Sequence, residues 1–170
     1  REASIALDAG GRVLARSAAG LAPITQEYDQ RGNLVALSRG SGSEMRRWLF
    51  EYEDGGRLSA LSDPLSRRIV FDHDAAGRLL RQVAPDGHAL TYVRDAEGRL
   101  ASLAAPDGGI HGFTWTANGL AERWLPPDAA TIHRFHDLDR RPVGIVLGNG
   151  AHIGFSYDAA GRPAASYEKP

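Results

Sequence analysis

The sequence predicts an all-β protein, an antiparallel meander of β-hairpin repeats of about 21 residues that forms a curved or spiralling sheet. Three features predict it: a glycine-bearing turn recurs at a fixed interval, a second turn signal follows about ten residues later, and large residues alternate with small ones between turns. The first turns lie near Gly11, Gly32, Gly56, Gly77, Gly98, Gly119, Arg140 and Gly161, in steps of 21 residues with one step of 24.

The first turn of each repeat follows one pattern: an aromatic residue, Asp, two free positions, Gly, Arg and an aliphatic residue, as in residues 73–79. The Asp side chain can accept a hydrogen bond from the backbone two residues on, and Gly adopts positive φ without steric cost. Together they predict a type I turn closed by a glycine bulge. We expect this role for Asp29, Gly32, Gly56, Asp74, Gly77, Asp95, Gly98, Asp158 and Gly161.

The second turn is clearest at residues 85–87 and 106–108, which both read Pro-Asp-Gly. Pro presets φ at the first turn position, and Gly takes the left-handed position. Other repeats carry turn-forming residues at 41–43, 63–66, 126–128 and 148–150. Each repeat therefore has two turns and two short strands, which is one β-hairpin.

The strand before each first turn has a large residue at every second position and mostly small or polar residues between them. This alternation predicts a strand with one buried face. The strand after the turn has Leu among Ala and Ser and alternates less clearly. The alternating sets are Trp48/Phe50/Tyr52, Ile69/Phe71/His73, Leu90/Tyr92/Arg94, His111/Phe113/Trp115 and Ile153/Phe155/Tyr157.

The 24-residue step lies between Gly32 and Gly56, and its three extra residues fall within residues 43–48. We expect a longer turn or a bulge there, and a functional loop is the alternative.

Both ends of the chain cut across a repeat. Residues 1–8 read as the second strand of one repeat, and residues 162–167 read as the first strand of another. We therefore expect residues 1–170 to be a single repeat array, a fragment of a longer one. Two unpaired strand edges would favour edge-to-edge self-association.

Composition narrows the range of functions. A net charge of −1 and a pI of about 6.7 give no electrostatic basis for binding nucleic acid or anionic membranes. The chain has no cysteine, which excludes disulfides and cysteine-based metal sites. We find no signal peptide or spanning segment in the sequence and predict no membrane insertion by it.

The residues of 71–79 and 157–162 closely resemble the Rhs or YD-repeat family, whose repeat reads Tyr-Asp, two or three free residues and Gly-Arg-Leu. The resemblance extends over essentially the whole chain. It implies a long sheet that spirals into a hollow shell, as in toxin-carrying bacterial Rhs proteins, the B and C components of insecticidal toxin complexes, and animal teneurins. In the bacterial members that shell encloses a C-terminal toxin domain.

Two turns depart from the family pattern. Residues 115–120 lack both the Asp and the Arg, and Arg140 occupies a glycine position. Because positive φ is uncommon outside glycine, we expect the turn at Arg140 to change type. No segment resembles the family's self-cleaving core motif or a toxin domain, so neither activity is expected here.

The strongest candidate metal ligands are His133, His136, Asp137 and Asp139. Residues three apart on a strand face opposite sides, however, and His136 occupies the repeat's ordinary aromatic position. The acidic pairs Asp72/Asp74 and Asp137/Asp139 could mimic calcium ligands, but local turn capping is the favoured interpretation. We predict no catalytic, cofactor or metal site and no enzymatic activity.

A column of arginines follows the turn glycines. It could line an anion-binding groove, but we favour a ladder in which each arginine pairs with a turn acid of an adjacent repeat. The column comprises Arg12, Arg57, Arg78, Arg99, Arg141 and Arg162.

The sequence and the resemblance together predict a non-catalytic wall segment of an Rhs-type shell that encloses and helps deliver a C-terminal toxin or effector. Its partners would be the rest of the shell and the enclosed toxin. The parent protein would be bacterial, made in the cytoplasm and then secreted or displayed at the cell surface. The alternative is a cell-surface module that binds carbohydrate through exposed aromatic rings, although packing within the sheet is favoured for these rings. The candidate glycan- or cargo-facing residues are Tyr92, Phe113, Trp115 and Phe155.

Overall fold

The computed structural model describes residues 3–169, with the backbone alone for residues 167–169, so Arg1 and Glu2 of the predicted first strand lie outside the described residues. The chain divides into two compact units, Arg1–Ala89 and Leu90–Pro170. Both are built from β-strands, and the helical structure in the described part of the chain is a single 3₁₀ turn. The predicted all-β antiparallel meander is confirmed. No helix among residues 3–169 has the length and apolar character needed to cross a membrane.

The first unit has eight strands, each paired antiparallel with the next along the chain. The strands are β1 (Ala3–Leu7), β2 (Val13–Ala18), β3 (Ile24–Tyr28), β4 (Leu34–Arg39), β5 (Arg46–Tyr52), β6 (Leu58–Ser62), β7 (Arg68–His73) and β8 (Leu79–Val83).

The second unit repeats this order with eight further antiparallel strands. The strands are β9 (Ala89–Arg94), β10 (Leu100–Ala104), β11 (Ile110–Trp115), β12 (Ala121–Leu125), β13 (Ile132–His136), β14 (Pro142–Val146), β15 (His152–Tyr157) and β16 (Pro163–Lys169).

The first turns have the predicted glycine-bulge geometry. At the first of them, the Gly11 N–H donates to the Asp8 carbonyl at 3.0 Å, and the Asp8 N–H donates to the Arg12 carbonyl at 2.9 Å. Gly11 has φ 81°, and the strand register shifts by one residue beside it. The other first turns repeat this hydrogen-bond pair and register shift.

The three extra residues of the long repeat form a longer turn, which confirms the structural expectation for this segment. A 3₁₀ turn, η1 (Gly42–Glu44), connects β4 to β5. The Met45 N–H closes it on the Gly42 carbonyl at 3.3 Å.

The expectation that the turn at Arg140 changes type was wrong. Arg140 takes φ 66°, and its N–H donates to the Asp137 carbonyl at 3.0 Å, as glycine does in the other first turns. The Arg140 Nη2 also donates to the Asn118 carbonyl of the preceding turn at 3.2 Å. These bonds hold the residue in a conformation that is unfavourable for a residue with a Cβ.

Few side chains are fully buried, as expected of a sheet without a second layer over it. In the first unit Ala36, Ser38 and Ala60 retain 2%, 4% and 0% of their surface. The alternating large residues are half-buried on the opposite face of the sheet.

Candidate functional site: the turn columns and the sheet faces

An acidic residue ties together the first turns, except the one at Gly119, where Thr116 takes its place and accepts the Leu120 N–H. Asp74 Oδ1 accepts the N–H groups of Ala76 and Arg78, both at 2.9 Å, and Oδ2 accepts Arg78 Nε at 2.7 Å. Asp29, Asp95 and Asp158 accept the equivalent backbone N–H four residues on. One side chain thus fixes both ends of the turn and orients the arginine column.

The carboxyl groups in these turns have lowered pKa values because several donors converge on them. The backbone N–H and then the side chain of Arg12 lower the pKa of Asp8, and the same two groups of Arg78 lower that of Asp74. Burial is the largest influence on Asp95 and opposes the lowering, but Arg99 prevails and the pKa is still lowered. The carboxylate form is therefore stabilised by the folded turn.

The predicted pairing of each arginine with acids of adjacent repeats was wrong. Arg12, Arg78 and Arg162 pair with the Asp four residues earlier in their own turns, at 2.6–2.8 Å. The guanidinium reaches this carboxylate because the bulge brings both ends of one turn together. The arginine instead contacts the next repeat through its flat face.

That contact falls on the aromatic and glycine positions of the following repeat. The Arg12 guanidinium lies over the Tyr28 ring, and that of Arg141 over the Tyr157 ring, each 4.9 Å from the centroid. A Cβ at Gly77 would lie 3.1 Å from Arg57 Cδ. The turn glycine therefore leaves room for the preceding arginine in addition to allowing positive φ.

The tyrosines that end strands before first turns have a function that the sequence reasoning missed. Tyr28 and Tyr157 donate their hydroxyls to the carbonyls of Val13 and Pro142, at 3.1 and 2.8 Å. Tyr52 does the same to Leu34 at 2.9 Å. Burial, followed by the Asp29 charge, raises the pKa of Tyr52.

The regular spacing of these tyrosines was the signal for that function, because each acceptor lies just after the arginine position of the previous repeat. Trp115 replaces Tyr in one copy, and its Nε1 donates to the Leu100 carbonyl at 2.8 Å. These contacts thus connect neighbouring turns within each unit.

Of the predicted ligand-facing aromatic residues, all four lie half-buried on one face of the second unit. Tyr92 is paired with Leu103, and Phe113 with Trp124. Phe155 lines an open groove of about 510 Å³ beside Tyr157. Their role in contacting a ligand stays a prediction.

Trp124 is an aromatic residue that the sequence analysis did not select. Its ring stacks on His111 with centroids 5.8 Å apart, and its Nε1 donates to His111 Nδ1 at 3.2 Å. It lies in the strand that alternates weakly, so periodicity did not single it out.

The candidate metal ligands do not converge. His133 and His136 lie on opposite faces of β13. Asp137 and Asp139 both accept Arg141 Nη2, at 2.7 and 2.9 Å. Within residues 3–169, no group of three His, Cys, Asp or Glu side chains could hold a metal ion.

On the face opposite the large residues, the first unit has ion pairs that span a strand. Arg47 pairs with Glu27 at 2.9 Å across β4, and Arg68 pairs with Glu51 at 2.7 Å across β6. The buried Ala60 lies opposite Glu51 in the register and beneath the second pair.

Comparison with known proteins gives two kinds of match. The model of the teneurin YD-shell family matches residues 2–167. The crystal structures of TcdB2-TccC3-Cdc42 and of TcdB2-TccC3 match 98% and 99% of the chain with TM-scores of 0.83 and 0.82, each at 13% identity. The chain spans only 10% of the length of either structure's chain. No curated protein sequence matches it.

Proposed function

Because this chain belongs to the teneurin YD-shell family, we propose that it is a wall segment of a hollow β-shell that encloses another polypeptide segment and carries out no catalysis itself. The family supports a structural role of the shell type. The enclosed polypeptide would be a toxin or effector, and the parent protein would be secreted or displayed at the cell surface.

The observation that carries this proposal is the network between consecutive turns. Arg12 and Arg141 close their own turns and cover the next tyrosine. Hydroxyl bonds back to the previous repeat come from Tyr28, Tyr52 and Tyr157. Such nearest-neighbour contacts can be extended repeat by repeat, which suits a wall of any length.

Residues 1–170 would then be one stretch of a longer array. The turn residues Asp29, Gly32, Gly56, Asp74, Gly77, Asp95, Gly98, Asp158 and Gly161 would serve the fold of that wall.

Site-specific photo-crosslinking tests the enclosure. A photoreactive phenylalanine analogue would replace Phe113 on the large-residue face or Val93 on the opposite face, in the longer polypeptide that the proposal requires. We expect one of the two positions to capture a segment outside the array, and the other to capture none. Capture at neither position would contradict enclosure.

The alternative, carbohydrate binding by Tyr92, Phe113, Trp115 and Phe155, has weaker support. Trp115 and Phe113 make contacts within the sheet, which leaves Phe155 in its open groove as the best test residue. Loss of glycan-array signal in Phe155→Ala, with an unchanged melting temperature, would favour the alternative.

A further inference from the structure

The one break in the repeat period builds a groove of about 1060 Å³ in the first unit. Three successive second turns line it: Ala22 before β3, residues 40–46 between β4 and β5, and residues 63–67 between β6 and β7. The three extra residues of the long repeat therefore add a wall that the other repeats lack.

The inserted turn is held in place by backbone hydrogen bonds. The Gly40 N–H donates to the Pro23 carbonyl of the neighbouring turn at 2.8 Å. Gly40 and Gly42 adopt φ of 95° and 58°, which glycine tolerates without strain. The groove is thus lined by an ordered turn.

Two arginines face each other at the base of the inserted turn. Arg39 on β4 and Arg46 on β5 are directly opposed in the strand register. Among residues 3–169 neither of them has an ion-pair partner, whereas Arg67 in the same groove is held by Asp63 at 2.6 Å. Like charges directly opposite each other disfavour strand pairing, and an anion bound between them would remove this repulsion.

Glu44 also lines the groove, so its three arginines exceed its two carboxylates by one charge, and apolar side chains lie beside them. Trp48 lies two residues beyond Arg46 on the same face and is half-buried. Met45 and Leu65 are 50% and 73% exposed. Trp, Met and Arg are enriched where proteins bind other polypeptides, and Met adapts to varied apolar partners.

We propose that this groove binds an acidic peptide segment. Its carboxylates would accept hydrogen bonds from Arg39 and Arg46, and an apolar side chain would pack on Trp48, Met45 and Leu65. An acidic sugar suits the groove less well, because Met45 and Leu65 present exposed aliphatic surface beside Trp48 that would face the sugar hydroxyls. This proposal does not depend on the enclosure of a polypeptide by a shell.

Fluorescence anisotropy tests the proposal, using a fluorescein-labelled peptide of alternating Glu, Leu and Phe, with a Gln-for-Glu peptide as the ligand control. We expect the acidic peptide to bind and the Gln peptide to bind at least about tenfold more weakly. The double variant Arg39→Gln/Arg46→Gln should lose about tenfold in affinity for the acidic peptide. The matched variant Arg16→Gln/Arg123→Gln removes two exposed arginines outside the groove and should stay within about twofold of the native chain.

Equal losses in the two double variants would overturn the proposal, because they would show attraction by net charge alone. Tighter binding of a labelled oligogalacturonate than of the peptide would also overturn it. Leu65→Ser provides a second test at an exposed turn position that tolerates substitution. It should weaken peptide binding several-fold while circular dichroism stays unchanged, and an unchanged affinity would contradict the apolar half of the site.

Discussion

The two units share one repeat and cover their polar face in different ways. In the first unit long charged side chains join β3 to β5 and β5 to β7, passing over Ala36 and Ala60. The ion pairs seen in the second unit, such as Arg99–Asp95 and Arg141–Asp137, lie within turns, and bulky residues there lie against glycines. A Cβ at Gly112 would lie 3.3 Å from Leu125 Cβ.

This difference shows that the repeat specifies its turns strictly and its faces loosely. The Asp, Gly and Arg columns continue through both units with nearly the same geometry. The strand residues between the turns need only to cover a neighbouring strand that has short side chains. A charge pair covers it in the first unit, and a bulky side chain of an adjacent strand covers it in the second.

The largest expected difference between the two units is in their stability to acid. Among the described residues, six carboxyl groups of the first unit have lowered pKa values, against three of the second unit. A lowered folded-state pKa stabilises the protein above the ordinary Asp value of 3.8, and this stability is lost as the pH falls through the folded-state pKa. Amide hydrogen exchange between about pH 5 and pH 2 should show the first unit losing protection first. Loss of protection in the second unit first would contradict this assignment.

A larger residue beneath an ion pair should destabilise the first unit. Ala60 has no exposed surface, so the larger side chain of Ala60→Leu would displace the Arg68–Glu51 pair above it. We expect the free energy of unfolding, measured by chemical denaturation, to fall by about 1–3 kcal/mol. The matched change in the second unit is Gly112→Ala, where the new Cβ would meet Leu125 Cβ at 3.3 Å. Because a movement of a few tenths of an ångström relieves this contact, we expect a cost below about 1 kcal/mol. Equal costs would show that the two faces are covered alike.

The left-handed turn position offers a test of the column that both units share. Arg140→Gly should stabilise the protein by up to about 1 kcal/mol, because glycine adopts φ 66° without strain. The lost bond from Arg140 to the Asn118 carbonyl would reduce this gain. Gly119→Ala is the control and should destabilise by about 1 kcal/mol at φ 77°. A stabilising Gly119→Ala would show that the turns tolerate a Cβ freely.

The smallest expected effect is the energy of a single ion pair. A double-mutant cycle on Arg68→Gln and Glu51→Gln should give a coupling of about 0.2–1 kcal/mol that falls with added salt. The same cycle on Arg99 and Glu97, a pair within one turn of the second unit, is the comparison. A salt-insensitive coupling in the first unit would indicate packing in place of charge.

Much of the fold followed from sequence because its determinants are local. The period, the glycine bulges and the extra turn at residues 42–44 depend on residues within four positions of each other. The sequence did not identify the acid that each column arginine pairs with, because the arginine's own turn and the adjacent turn both offer one. The tyrosine hydroxyl bonds were also missed, although their acceptors recur at the repeat period.

By itself the sequence determined the hairpin repeat, the order of the strands and the chemistry of each turn, because a turn closes through contacts inside one short segment. Only the tertiary structure decided that Arg12 covers Tyr28, that charge pairs cross Ala36 and Ala60, and that Arg39 opposes Arg46. Those contacts join different strands, and their identity depends on register and side-chain reach, which a one-dimensional pattern does not contain.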